Sequence, residues 1–217
     1  MRQESERRLV AVEDISIDRI VTRLLDRPPV LSGREQLVPD WRPSAPPDRP
    51  PVPAAVLLAL VERPEGYTVL YTERSSRLRS HSGQIAFPGG KLDPGDADAA
   101  DAALREAGEE VGLLRSEARV LGFMPTYFTG TNYLITPVVA VVSPSAPFVP
   151  NPDEVQAVFE VPFARVIRKE SYSTYSIRRD GREHRTWQID HEGHVIWGIT
   201  ANLTRQFRDL VLGEGPS

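Results

Sequence analysis

The sequence contains no cysteine, which excludes a disulfide scaffold, a thiol nucleophile and any metal site built on cysteine ligands. Long apolar runs are also missing: the longest covers the eight residues Ala54–Val61, whereas a membrane-spanning helix needs about 20. The first residues carry charges without an apolar core behind them, which is not typical of a secretory signal. We therefore expect a cytoplasmic protein with no membrane partner.

A net positive charge is lacking as well. The net charge is −4 and the pI about 5.7, so we expect no nucleic-acid partner. Only two of the 26 basic residues are lysines, Lys91 and Lys169. The arginine excess reflects either genome composition or a need for bidentate phosphate contacts.

The hydropathy pattern divides the chain at about residue 53. Residues 1–53 contain one amphipathic helix, which Ser16 can cap, and then a proline-rich arm. Residues 28–53 hold nine of the chain's 20 prolines, a density that blocks both helix and ladder hydrogen bonds. The arm and a hairpin late in the chain are features that a homodimer would use, so a homodimer is one expectation.

Residues 54–217 alternate irregularly between strand and helix patterns. Strands are predicted over 54–61, 67–72, 120–124, 134–142, 173–178 and 185–189, and helices over 98–111, 161–168 and 199–212. The segment from residue 143 to about residue 152 is predicted to be a loop. This order predicts an α+β sandwich of a sheet and helices.

Three acidic residues share one face of the helix predicted over 98–111. At 100° per residue, Glu106, Glu109 and Glu110 fall within an arc of about 100°. Arg105 precedes Glu109 by four residues and can pair with it. Such close carboxylates repel one another unless a cation offsets them, and Mg²⁺ or Mn²⁺ fits oxygen ligands best. Taken alone, the pattern is also typical of a solvated acidic face.

A glycine pair just before the helix strengthens the functional interpretation. Gly89 and Gly90 let backbone amides approach an anion closely, although a plain turn is the better explanation of the pair taken alone. Together, the glycines and the acidic face predict a phosphate-sized site next to a metal site.

Residues 90–113 resemble the signature of the Nudix hydrolases, Gly-x5-Glu-x7-Arg-Glu-U-x-Glu-Glu-x-Gly-U, where U is a bulky apolar residue. Matching positions are Arg105, Glu106, Glu109, Glu110, Gly112 and Leu113. The stretch before Arg105 is one residue longer than the general pattern, Asp96 stands where the first Glu is expected, and Ala107 replaces the bulky residue. None of these departures removes a carboxylate from the helix face.

The flanks resemble the coenzyme A pyrophosphatase branch of these hydrolases. The similar segments are residues 70–84, leading into Phe87-Pro88-Gly89-Gly90, and also 129–133, 136–139 and 151–155. The resemblance covers about residues 54–165 and implies a Nudix-type α/β/α sandwich with a mixed central sheet. It also implies metal-dependent hydrolysis of coenzyme A or acyl-coenzyme A to 4′-phosphopantetheine and adenosine 3′,5′-bisphosphate.

The resemblance and the residue chemistry together assign roles. We expect Glu106, Glu110 and Glu109 to hold Mg²⁺ or Mn²⁺, Arg105 to orient these carboxylates, and either Glu109 or Glu154 to act as the general base. The expected substrate-binding residues are Arg74, Arg77, Arg79, His81, Gln84, Gly89 and Gly90. Two alternatives remain: hydrolysis of another nucleoside diphosphate such as ADP-ribose or a dinucleotide, and a non-catalytic nucleotide-binding module.

Overall fold

The computed structural model describes residues 15–29, 50–77, 83–179 and 182–214. Most of the proline-rich arm and the candidates Arg79 and His81 lie outside these residues. The amphipathic helix predicted near the N-terminus is present only in its first part, as α1 (Ile17–Val21) with Ser16 as its cap. Leu24 and Leu25, which the pattern placed on the same helix face, lie beyond its end. Within the described residues, no helix is both long and apolar enough to span a membrane.

A mixed sheet forms the centre of the fold. Its strands are β1 (Val52–Arg63), β2 (Gly66–Arg74), β3 (Ile85–Ala86), β4 (Gly89–Lys91), β5 (Ala118–Phe123), β6 (Tyr127–Phe128), β7 (Tyr133–Val142) and β8 (Val155–Pro162). The main strand order is β3-β2-β1-β7-β5, while β4 pairs with β1, β6 with β7 and β8 with β2. β1 and β7 run parallel and the other pairs are antiparallel.

Helices cover the two faces of this sheet. α2 (Ala99–Val111) packs its alanines against the β1 side chains Ala55, Leu57 and Ala59. The opposite face of β1, with Leu58 and Leu60, shares a core with α3 (Phe163–Ile167) and α4 (Gly198–Leu212). The expected α+β sandwich with a mixed sheet is therefore confirmed.

A small second sheet precedes α4. It consists of β9 (Tyr172–Arg179), β10 (Arg182–His191) and β11 (His194–Trp197), in the order β11-β10-β9. β9 and β10 were predicted from the sequence, whereas β11 was not. α4 ends as expected at Gly213, which adopts a left-handed conformation with φ of 73°.

One predicted element is wrong in its first part. The helix predicted from Val161 begins only at Phe163, because Val161 and Pro162 belong to β8 and pair with Val69 and Thr68 of β2. Apolar residues alternate along β8, at Val155, Ala157, Phe159 and Val161. This period of two was the sequence signal for the strand.

Candidate active site

The local sequence of α2 determines where its acidic face lies. The helix begins after Asp98, whose Oδ1 accepts a hydrogen bond from the Asp101 amide at 2.9 Å, and it ends at Gly112 with φ of 70°. Because the alanine face packs on β1, the C-terminal half of α2 lies beside β4. Glu106 and Glu110 therefore project from α2 next to the glycines of that strand.

Three carboxylates meet at this point, but they are not the three that the helix face predicted. One oxygen from each of Glu106, Glu110 and Glu154 lies within 4.8 Å of the other two. Glu109 is not in this group: its side chain is 53% exposed, and its Oε1 lies 3.5 Å from Nη1 of Arg105. The cluster thus contains two of the acids expected on α2 and one from a turn distant in sequence, and the metal role expected for Glu109 stays a prediction.

Backbone hydrogen bonds fix the turn that carries Glu154. The Asn151 amide donates to the Glu110 carbonyl at 2.9 Å, which ties the turn to the end of α2. The Glu154 amide donates to the Asn151 carbonyl at 3.0 Å, and the Ser75 amide donates to the Glu154 carbonyl at 2.8 Å. Glu154 is therefore held between α2 and the end of β2.

The glycine pair leaves room for this acid cluster. A Cβ on Gly90 would lie 2.3 Å from Oε1 of Glu106, so a side chain there would collide with the carboxylate. A Cβ on Gly89, where φ is 157°, would lie 2.4 Å from the Ala55 carbonyl oxygen. The Gly89 amide donates to Oε2 of Glu110 at 3.3 Å, so its nearby anion is a carboxylate of the protein.

Burial makes the cluster costly to ionise without a cation. Glu110 is 2% exposed, and desolvation raises its pKa to about 8, although the Arg74 guanidinium 3.8 Å away opposes the rise. Desolvation also raises the pKa of Glu106, against the opposing effect of Arg105. A bound divalent cation would favour the ionised form of both groups.

Arg105 contacts several acids, and its best partner is Asp96. Its Nε and Nη2 donate to the two carboxylate oxygens of Asp96 at 2.9 and 3.0 Å. Nη1 donates to Oε1 of Glu106 at 3.0 Å, and Nη2 also donates to the Lys91 carbonyl. The hydrogen bonds from Arg105 lower the pKa of Asp96 to about 2. Arg105 thereby connects the loop before α2 to a member of the acid cluster.

The acid cluster opens into a cavity of about 400 Å³. Its lining includes Arg74, Gln84 and both glycines, together with the three clustered acids. Arg74 contributes a donor with no partner in the described residues, because its Nε is buried and makes no hydrogen bond. The Arg74 side chain as a whole is 28% exposed and lines the cavity, so the terminal nitrogens of its guanidinium suit an anionic ligand oxygen.

The remaining predicted substrate residues lie elsewhere or outside the described residues. Arg77 is 75% exposed, is not part of the cavity lining, and has an oxygen of Asp153 3.7 Å from its Nη1. Arg79 and His81 belong to residues 78–82, which the structure does not describe. Sequence reasoning missed Lys91 and three α4 residues of the lining, Ile199, Thr200 and Leu203. The three α4 residues carry no local sequence signal of a functional site, because their pattern is that of one face of an ordinary amphipathic helix.

Comparison with known proteins identifies the domain. The NUDIX domain family model matches residues 51–179. A relative from Escherichia coli K12, the uncharacterized Nudix hydrolase NudL, is 44% identical over 163 residues, which is 75% of this chain and 84% of the relative. Among solved structures, the Nudix hydrolase RenU from M. smegmatis is 27% identical, with 52% of this chain and 71% of that chain covered and a TM-score of 0.42. The NUDIX domain of Shewanella oneidensis NrtR, complexed with ADP ribose, is 17% identical, with coverages of 55% and 77% and a TM-score of 0.43.

Proposed function

Given that the chain belongs to the NUDIX family, in which enzymes hydrolyse nucleoside diphosphates with divalent metals, we propose that it cleaves the diphosphate of coenzyme A or acyl-coenzyme A. The products would be 4′-phosphopantetheine, or its acyl form, and adenosine 3′,5′-bisphosphate. The observation that carries this proposal is the meeting of Glu106, Glu110 and Glu154 at one cavity with Arg74. The choice of coenzyme A rests on the resemblance of residues 70–84, 129–133 and 151–155 to that branch.

The donor set at the cavity fits Mg²⁺ or Mn²⁺. Three carboxylates close together, one of them almost fully buried, form a site of hard oxygen ligands whose charges need compensation. Glu106 and Glu110 would hold the ion. When bound, such an ion neutralises diphosphate oxygens and makes a nearby water more acidic.

The protein's own groups supply the other parts of the reaction. Arg74 would donate to a diphosphate oxygen from the same cavity wall, and Arg105 would keep Glu106 in place through their 3.0 Å hydrogen bond. Glu154 would accept the proton of the attacking water, since it faces the cavity and Glu109 does not line it. The water oxygen bonds to phosphorus, the bridging phosphorus–oxygen bond breaks, and the departing phosphate takes the bond's electron pair.

We further propose that residues 54–217 act as one catalytic unit. The family model ends at residue 179, yet α4 contributes Ile199, Thr200 and Leu203 to the cavity. A cytoplasmic location and a homodimer both remain predictions.

A substrate panel tests the proposed reaction. The purified protein would be incubated with coenzyme A, acetyl-coenzyme A, ADP-ribose and a dinucleotide, each with Mg²⁺ or Mn²⁺, and the products separated by chromatography. We expect adenosine 3′,5′-bisphosphate from the two coenzyme A compounds, with kcat/KM at least tenfold above the other substrates. Preferred cleavage of ADP-ribose or the dinucleotide would refute the coenzyme A assignment. If the protein binds a substrate but cleaves none of them when metal is supplied, enzymatic activity is refuted.

A further inference from the structure

The first turns of α4 form part of the cavity wall although this helix lies outside the residues matched by the family model. Three polar side chains of α4 anchor it to the domain. The Thr200 hydroxyl donates to the Ile85 carbonyl at 2.8 Å, the Asn202 amide donates to the Tyr127 hydroxyl at 3.0 Å, and the Thr204 hydroxyl lies 3.1 Å from that of Tyr71. α4 is therefore a fixed wall of the cavity.

The part of the cavity lining that includes α4 is apolar. Ile199 and Leu203 join Val56 of β1 and Ile135 of β7, and we call these four residues the apolar wall. Ile199 and Ile135 are only partly buried, so each keeps surface that a ligand can cover. The acids of the cavity come instead from α2 and from the turn before β8. The acids of α2 and the apolar side chains of α4 thus reach the cavity from helices on opposite faces of the sheet.

The two halves of coenzyme A also differ in charge. The adenosine half carries a separate 3′-phosphate, whereas the pantetheine arm is an uncharged chain with a dimethyl group and many methylene groups. α4 contributes no charged side chain to the lining, and the lining cations in the described residues, Arg74 and Lys91, come from β2 and β4. A phosphate placed against the apolar wall would lose water without gaining a cation. The dimethyl and methylene groups of the arm would lose apolar contact with water there, which favours binding, while its two amides and its hydroxyl would keep hydrogen bonds outside the apolar wall.

We propose that the apolar wall binds the pantetheine arm of the substrate, and that Ile199 determines selectivity for it. This inference rests on the proposed function, because it takes the ligand to be coenzyme A. A side chain that removes apolar surface at position 199 weakens binding of the arm. It leaves the adenosine half unaffected, since that half lies on the other side of the diphosphate.

Binding of the two product halves tests this proposal separately from catalysis. Neither 4′-phosphopantetheine nor adenosine 3′,5′-bisphosphate contains the scissile diphosphate bond, so both can be titrated calorimetrically in the presence of Mg²⁺. The variants are Ile199→Ser, the conservative Ile199→Leu, and Val195→Ser as a control on exposed β11 surface outside the cavity lining. We expect Ile199→Ser to raise the Kd of 4′-phosphopantetheine about tenfold, and the other two variants to change it less than threefold.

The Kd of adenosine 3′,5′-bisphosphate should stay the same in all variants, which also shows that the Ile199→Ser protein is folded. The proposal is overturned if Ile199→Ser weakens the adenosine half instead, weakens both halves equally, or weakens neither. It is also overturned if the wild type does not bind 4′-phosphopantetheine. Coenzyme A hydrolysis by the wild type is measured separately. If Ile199→Ser selectively weakens binding of the arm but the wild type does not hydrolyse coenzyme A, the proposed role of the apolar wall stands and the proposed reaction is refuted.

Discussion

Arg105 donates hydrogen bonds from Nε and Nη2 to the Asp96 carboxylate, at 2.9 and 3.0 Å, while its Nη1 donates to Glu106 of the acid cluster. Asp96 lies in the loop before α2, and 4% of its side chain is exposed. A bidentate arginine–carboxylate pair fixes both side chains in one geometry. Asp96 therefore acts on Glu106 through Arg105, although it is not itself part of the cluster.

Replacing Asp96 should slow turnover by releasing Arg105. We expect Asp96→Asn to lower kcat about tenfold, because small misplacements of a reacting group are costly, with little change in KM. The matched control is Asp93→Asn, whose side chain is 66% exposed and lies 3.8 Å from the same guanidinium. Steady-state kinetics with coenzyme A measures both variants. Equal effects of the two substitutions would show that the bidentate contact has no special role.

The burial of Glu110 predicts how stability depends on pH when no metal is bound. Its pKa is raised from the ordinary value of 4.5 to about 8, so between these values the folded protein binds more protons than the unfolded chain. Stability therefore falls as pH rises through this range, and Glu106, whose pKa is raised too, acts in the same direction.

The measurement is the Tm of the wild type and of Glu110→Gln in a chelator, from pH 5 to pH 8. We expect the variant to become progressively more stable than the wild type as pH rises, because Gln cannot ionise. Added Mn²⁺ should raise the Tm of the wild type more than that of the variant. Parallel Tm curves in the chelator would contradict the assignment of an ionisation cost to Glu110.

Arg74 should contribute to substrate binding through the geometry of its guanidinium. Lysine cannot replace the planar fork of the guanidinium that lines the cavity, so we expect Arg74→Lys to lower kcat/KM for coenzyme A about 10- to 100-fold. Arg119→Lys, on the exposed edge of β5, serves as the control. If Arg74→Lys keeps the wild-type kcat/KM, Arg74 serves only to balance the charge of Glu110.

Glu154 and Glu109 can be separated as candidates for the general base. We expect Glu154→Gln to lower kcat by about 10²- to 10⁴-fold, the usual contribution of a positioned base. Glu109→Gln should lower kcat less than tenfold, since its side chain is largely exposed. Steady-state kinetics with coenzyme A measures kcat for both variants, and the reverse ranking would assign the base to Glu109.

Much of this site could be predicted from local sequence. Helical periodicity placed Glu106 and Glu110 on one face of the helix predicted over 98–111, which the structure shows as α2. These features depend on residues close in sequence. The α+β sandwich likewise followed from the order of strand and helix patterns.

The rest depends on long-range contacts. Glu154 joins Glu110 only because backbone hydrogen bonds tie the turn at Asn151 to the end of α2, and no spacing within α2 encodes this. Helical angles alone also could not tell that Glu109 points away while Glu106 fills the space left by Gly90. The contribution of α4 to the cavity arises from packing across the sheet, so it was invisible to motif analysis.

The central claim is that Glu110 helps to hold the divalent cation at which coenzyme A is hydrolysed. The most direct measurement is the rate of adenosine 3′,5′-bisphosphate formation from coenzyme A with Mg²⁺, for the wild type and for Glu110→Gln with an unchanged circular dichroism spectrum. Since metal-assisted charge stabilisation contributes several kcal/mol, we expect the rate to fall by about 10³-fold or more. A variant that turns over coenzyme A at close to the wild-type rate would contradict the claim.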